Sequence, residues 1–317
     1  MILVIGAGAV GTFLGATLAA GGETVQLLRR TSKSGAVTDL PEPPEIILVA
    51  VKMPDLAGAI ETAAQWPDAT LVAVENGVGA DQLMLATRPA GGLIAASLTT
   101  SVERQADGSA RRLSRGGILL APVRGDVEAA SRRLVGAFIA GGLRARTTPD
   151  AAAMRWSKLL INLMGNASGA IVDLDPVAVY RDPGLFRLER RQIREALAVM
   201  KGLGLRPIRL FGADARLLPI AMRLPAPLVQ PILVRVVAAG RGGKRPSLHL
   251  HLEAAAGTPT EVDWLNGAVA LAAADLGQQA PVNARLAELV EASNQDPAQR
   301  TWFRGRPERL LAAIASP

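Results

Sequence analysis

The chain has 317 residues, 49% apolar and 20% charged, which suits one large or two ordinary domains with a normal core and excludes wholesale disorder. It has no cysteine and only two histidines, His249 and His251, so disulfide scaffolds, thiolate metal sites and cysteine nucleophiles are excluded and histidine-rich metal sites are hard to build. Aromatics at 3% argue against base-stacking nucleic-acid modules, and the net charge of +7, carried mostly by arginine along the whole chain, reads as a basic surface rather than a binding patch.

Residues 1–22 carry no charge and could pass for a secretion signal or a membrane span. No basic segment precedes them, and glycines at 6, 8, 11, 15 and 21 interrupt the run, so the reading is a soluble, cytoplasmic protein with no membrane partner. Residues 2–5 form a β-branched run ending in glycine, the pattern of a strand buried on both faces. A helix is predicted over 10–20, then strands over 24–28, 46–51 and 70–74, with helices over 55–64 and 80–86. Strands over 92–100 and 117–123 and a helix over 127–141 complete an alternation that means a mostly parallel sheet covered by helices. Beyond Pro149 the strand signals vanish, and helical spacing runs through 151–163, 185–202, 213–221, 227–239, 261–276 and 284–293. The expected architecture is a Rossmann-type α/β domain over 1–149 followed by an all-α domain over 150–317.

The segment Gly6-Ala7-Gly8-Ala9-Val10-Gly11 lies between the first strand and the first helix, the context that gives a GxGxxG pattern its meaning. Gly6 allows a tight turn, Gly8 lets the backbone approach a pyrophosphate, and Gly11 lets the helix pack close to the strand. The helix N-terminus adds free N–H groups and a partial positive charge. An NAD site needs a carboxylate at the end of the second strand, but that position reads Leu27-Leu28-Arg29-Arg30, with no acid before Asp39. Two guanidiniums suit a 2′-phosphate, so NADP(H) is the expected cofactor, with Arg30 the leading contact. Lys52 follows the third strand and Glu75-Asn76-Gly77 the fourth, on the side where open α/β sheets bind ligands.

In the second half, Lys158, Asn162 and Asn166 recur every four residues along an otherwise apolar helical stretch, which puts them on one helix face. They serve either an interhelix hydrogen-bond network or a row facing substrate, with the lysine suited to donate a proton. Thr260-Glu261 opens the next informative helix, where Glu261 could simply favour the helix dipole. Asp263 reads as a surface acid.

Taken in order, the glycine turn, Arg29-Arg30, Lys52, Asn76-Gly77, Lys158…Asn162…Asn166, Ser247, Glu261 and Pro281-Val282-Asn283 resemble the ketopantoate reductase family over nearly the whole chain. The resemblance implies a Rossmann domain joined to a helical domain of the 6-phosphogluconate-dehydrogenase-like kind. It also implies NADPH-dependent reduction of the 2-oxo group of ketopantoate to pantoate. Lys158 would be the general acid, Glu261 would work at the substrate end, and Asn76, Asn162 and Asn166 would orient lysine and substrate. Ser247 would hold the substrate, with His249 as the alternative occupant of that place, and Lys52 would lie at the cofactor. The family needs no metal. The link over 31–45 is shorter than the family's usual one, and Ser247 stands further from Glu261 than is common. Reduction of a different small 2-oxoacid, or a non-catalytic NADP-binding regulator, are the competing readings. A homodimer is compatible with the long helices of the second domain.

Overall fold

The computed structural model describes residues 1–28, 40–88, 90–240 and 245–315. Its chain divides into two compact units, the first comprising Met1–Arg155 with Leu210–Gly212, the second Trp156–Arg209 with Ala213–Pro317. The division falls inside one helix.

In the first unit, strands β1 (Ile2–Ile5), β2 (Val25–Leu28), β3 (Ile46–Val49), β4 (Thr70–Ala73), β5 (Leu93–Leu98), β8 (Ile118–Arg124) and β9 (Ala145–Thr147) form one sheet in the order β2-β1-β3-β4-β5-β8-β9. The first five strands are mutually parallel, β8 runs antiparallel to β5, and β9 is parallel to β8. The intervening β6 (Val102–Arg104) and β7 (Ala110–Arg112) make a separate hairpin turning at Gly108, φ +83°. Helices α1 (Ala9–Ala20), α2 (Leu56–Ala63), α3 (Ala80–Thr87) and α4 (Glu128–Ala140) accompany the sheet. The apolar runs explain the layering. Ile2, Val4, Ile46, Leu48, Val72 and Ile94 pack with Leu14, Leu18, Leu134 and Phe138 from α1 and α4. The alternate residues Leu3, Ile47 and Leu71 are equally buried, as are Leu56 and Ile60 of α2 and Met84 of α3. The expected mostly parallel Rossmann-type sheet is therefore present.

The second unit is helical: α5 (Ala151–Leu163, which starts in the first unit), α6 (Ala167–Val172), α7 (Pro176–Arg181), α8 (Pro183–Gly202), α9 (Leu218–Ala221), α10 (Ala226–Gly240), α11 (Ser247–Ala254), α12 (Asn266–Asp275), α13 (Pro281–Gln295), α14 (Pro297–Phe303) and α15 (Pro307–Ala315). Two-residue strands β10 (Arg209–Leu210) and β11 (Ala213–Asp214) are the exception among the described residues. Two expected helices are broken. The one over 213–221 reduces to a 3-10 turn and the short α9, because Pro219 is tolerated only in a first turn. The one over 261–276 splits into a 3-10 turn, Val262–Trp264, and α12, with Leu265 leaving helical geometry at φ −112°, ψ −95°.

Among the described residues no helix is long and apolar enough to cross a membrane. The uncharged N-terminal run is spent on β1 and α1.

Candidate active site

Ile5, Val49 and Ala73 are register partners across β1, β3 and β4, and Leu28 of β2 pairs with Ile5. Three described chain segments therefore leave the sheet side by side at its carboxyl edge, Gly6–Gly11, Ala50–Lys52 and Val74–Gly79, and β2 ends at Leu28 on the same edge. The chain passes from β1 to β2 on one side and then to β3 on the other, so this edge contains the topological switch point where such sheets bind ligands.

The glycines fit a dinucleotide. Gly6 has φ +111°, and a Cβ there would lie 2.5 Å from the Ala50 carbonyl oxygen. A Cβ on Gly11 would lie 1.9 Å from the Gly6 carbonyl oxygen, so only glycine lets α1 start this close to the turn. A Cβ on Gly8 would meet nothing within 4 Å. Gly8 precedes the first turn of α1, which carries no acidic residue to compete with an anion. Ala7, Ala9 and Val10 are half-buried in the same turn. Lys52 and Asn76 are both exposed on their loops. Arg29 and Arg30, and most of the shortened link after them, lie outside the described residues.

Directly beside Asn76, Glu75 is 4% exposed, and neither carboxyl oxygen makes a hydrogen bond among the described residues. Burial pushes its pKa up from 4.5 to about 8. The charge of Arg155 and the nearby backbone N–H groups of Glu75 and Val74 act in the opposite direction without reversing it. Arg155 was not singled out in the sequence. Its guanidinium, 5% exposed, donates to the carbonyl oxygens of Ala73 (2.9 Å), Glu75 (2.6 Å) and Ala96 (3.0 Å) and to both carboxylate oxygens of Asp81 (2.7 and 3.0 Å). All five N–H donors are thereby used. The arginine ties the end of β4 and the middle of β5 to α3. Arg155→Leu leaves Asp81 buried without its counter-ion and costs about 3–5 kcal/mol of stability, readable as a lowered urea midpoint. An unchanged midpoint would show the pair to be dispensable.

In the second unit, α5 buries Trp156, Ser157, Leu159, Leu160 and Leu163, leaving Lys158, Ile161 and Asn162 half-buried on one side. Lys158 and Asn162 thus share a face as their spacing requires. Asn166 does not continue it. The helix ends at Leu163, Gly165 takes φ +62°, and Asn166 immediately precedes α6. The turn is held by the buried Glu189, which accepts from the Gly165 N–H (2.7 Å) and the Ser168 hydroxyl (2.5 Å). Asn166, 2% exposed, accepts at Oδ1 from the Leu248 N–H (3.2 Å) and so fixes the start of α11.

Ser247 is the first residue of α11 and is exposed. His249 is 2% exposed and lies 2.7 Å from Asp173, within an ion-pair cluster that includes Arg245, Glu253 and Arg304. Of the two candidates for the substrate-holding position, only Ser247 is accessible.

Glu261 is half-buried and makes no side-chain cap to the 3-10 turn. The Thr260 hydroxyl does that, accepting from the Val262 N–H at 3.2 Å. Burial and the neighbouring Glu291 carboxylate raise the pKa of the exposed Asp263. Asn283, noted in the sequence, is wholly buried: its amide donates to Gln192 and Glu195, and Asn266 donates to it and to Gln192. This network joins α8, α12 and α13 and is structural.

Sheet order, glycine turn and helical second unit define an oxidoreductase of the Rossmann class with a C-terminal helical domain. Residues 2–40 match the family model described as ketopantoate reductase PanE/ApbA, and residues 150–294 match its C-terminal counterpart. The chain belongs to the ketopantoate reductase family, whose members use a nicotinamide cofactor. It is 25% identical to a 2-dehydropantoate 2-reductase of Halobacterium salinarum over 93% of this chain and 99% of that one. Among solved structures it is similar to a PanE/ApbA family ketopantoate reductase from Ralstonia eutropha, with a TM-score of 0.75 and 23% identity over 95% of this chain and 100% of that one. It is also similar to D-mandelate dehydrogenase in complex with NADH and anilino(oxo)acetate, with a TM-score of 0.74 and 17% identity over 93% and 98% of the two chains.

Proposed function

We propose that the protein is a cytoplasmic NADPH-dependent reductase that converts ketopantoate to pantoate, a step toward pantothenate and coenzyme A. The observation that carries this reading is the face of α5. On α5, whose Trp156, Ser157, Leu159, Leu160 and Leu163 are buried, Lys158 and Asn162 stay half-buried side by side, inside the segment that matches the family's C-terminal model.

The backbone of Gly6–Gly11 and the first turn of α1 hold the pyrophosphate. Arg29 and Arg30 take the 2′-phosphate, and Lys52 and Asn76 line the same edge. The reduced nicotinamide, when bound, supplies the hydride. Lys158 stabilises the charge that develops on the 2-oxo oxygen and then protonates it. Asn162 orients that ammonium and the substrate. Asn166 acts at one remove by seating α11, whose Ser247 hydroxyl hydrogen-bonds substrate. Glu261 works at the substrate end.

The fold likeness to D-mandelate dehydrogenase supports a second reading, reduction of another 2-oxoacid. NADPH oxidation assayed with ketopantoate against aliphatic and aryl 2-oxoacids separates the two. Highest kcat/KM with ketopantoate is expected, a preference for an aryl 2-oxoacid moves the assignment to the second reading, and no turnover with any of them overturns both. For the cofactor, Arg30→Ala weakens NADPH by on the order of 10- to 100-fold, the loss of a charge-assisted contact, and leaves NADH nearly unchanged. Equal losses for both coenzymes, measured by fluorescence titration, would remove the 2′-phosphate from the argument.

A further inference from the structure

In the second unit α10 packs against α7. Gln230 fixes the join: its amide donates to the carbonyl oxygens of Tyr180 (2.9 Å) and Arg181 (3.2 Å), the last two residues of α7. Beside this join lies a cavity of about 430 Å³, lined by Arg181, Pro227, Gln230, Pro231, Val234 and Arg235. Its size falls toward the small end of the roughly 300–1,000 Å³ that ligand pockets span. Pro227, Pro231 and Val234 recur at helical spacing, so one face of α10 supplies an apolar wall. Val229, Leu233 and Val237 bury another face in the core. Pro231 stands inside the helix, where a proline removes a backbone hydrogen bond, so the rigid ring at the wall is kept against helix preference.

The charge of the lining has one sign. Arg181 and Arg235 are both exposed, and no acid lines the cavity or occurs within α7 or α10. The acids nearest Arg181 in the chain are engaged elsewhere. Asp175 accepts from the Val177 and Ala178 N–H groups and Asp182 from the Leu185 N–H. Arg216, Arg245 and Arg304, exposed likewise, each pair with a carboxylate. Among the described residues Arg181 and Arg235 have no such partner.

We propose that this cavity is a binding site for a small organic anion, its acidic head held by Arg181 and Arg235 and its apolar body laid on Pro227, Pro231 and Val234. Guanidinium forks match carboxylate and phosphate oxygens alike, so either head is admitted. None of Lys158, Asn162, Ser247 and Glu261 lines the cavity, so the site is separate from the proposed substrate site and does not rest on the substrate assignment.

Fluorescence titration of the full chain with anilinonaphthalene sulfonate, an apolar ring system with one anionic group, tests it. NADPH is kept in saturating excess so that the probe does not occupy the coenzyme edge. Saturable binding at one site per chain is expected. Arg181→Gln and Arg235→Gln should each weaken it at least ~10-fold, the low end for a charge-assisted hydrogen bond. Arg216→Gln, outside the cavity, should leave it unchanged. All three replace exposed side chains, and unchanged melting temperatures check that the fold is intact. Octanoate and octyl phosphate should displace the probe, the stronger competitor identifying the head, whereas octanol, with the same body and no charge, should not. Four results overturn the proposal: a wild type that does not bind the probe, binding that survives either cavity-arginine substitution, failure of both anions to displace it, or displacement by octanol as effective as by octanoate. Because the readout follows two arginines outside the proposed active site, it is decided apart from any reductase activity.

Discussion

Replacing Lys158 by methionine should lower kcat for 2-oxoacid reduction by at least ~10², with dinucleotide affinity unchanged. The separation follows from the architecture. The proposed coenzyme cradle is made of glycine backbone and the start of α1 in the first unit, and methionine keeps the length and apolar stem of the residue it replaces on α5. What disappears is the ammonium and its proton. Lys158→Arg sharpens the test, because a guanidinium supplies the positive charge but does not give up a proton near neutrality. Stopped-flow measurement at saturating coenzyme should find both variants slow. Near-normal turnover in the methionine variant would remove the lysine from catalysis, and full recovery in the arginine variant would reduce its role to charge alone.

A second large effect is expected from Glu75→Gln. The folded protein holds the Glu75 proton up to about pH 8, whereas the unfolded chain releases it near 4.5. With the folded pKa raised, the native state is favoured in full below about pH 4.5. It then loses stability as the pH climbs through about 8, after which the loss levels off. Glutamine has the same shape and never ionises. The variant should match the wild type near pH 4.5 and exceed it progressively above, by roughly 3–5 kcal/mol at pH 9 if the whole shift is expressed. Thermal melts of both proteins across pH 5 to 9 measure the divergence. Parallel curves would mean that the carboxyl is hydrated or paired in solution.

Much of this was legible in the sequence because it rests on local rules. The β-branched runs, the glycine spacing and the i, i+4 relation of Lys158 and Asn162 each depend on a few adjacent residues, and each appears where expected. Three Asp-Pro pairs, at 175, 182 and 296, were equally local signals; each aspartate caps a helix, α7, α8 and α14 in turn. Short helices such as α6 and α7 carry too few residues for periodicity to register. The continuation to Asn166 failed because the helix stops at a left-handed glycine, a decision imposed by Glu189 from another helix. Arg155 and Glu75 were invisible for a related reason. The partners of Arg155 are 59 to 82 residues away and the Glu75 carboxyl has no hydrogen-bond partner among the described residues, so nothing beside them in the chain marks them as buried charge.

The position of Arg155 has a consequence for dissecting this molecule. A fragment ending at Pro149, the natural place to cut by composition, would discard the guanidinium that pairs with Asp81 and holds the carbonyls of Ala73, Glu75 and Ala96. The first unit therefore includes the opening turns of α5 and depends on them for its own integrity. Any excised or transplanted version of that half must carry the helix at least through residue 155, and exchange of helical halves between relatives has to keep an arginine there or replace Asp81 at the same time.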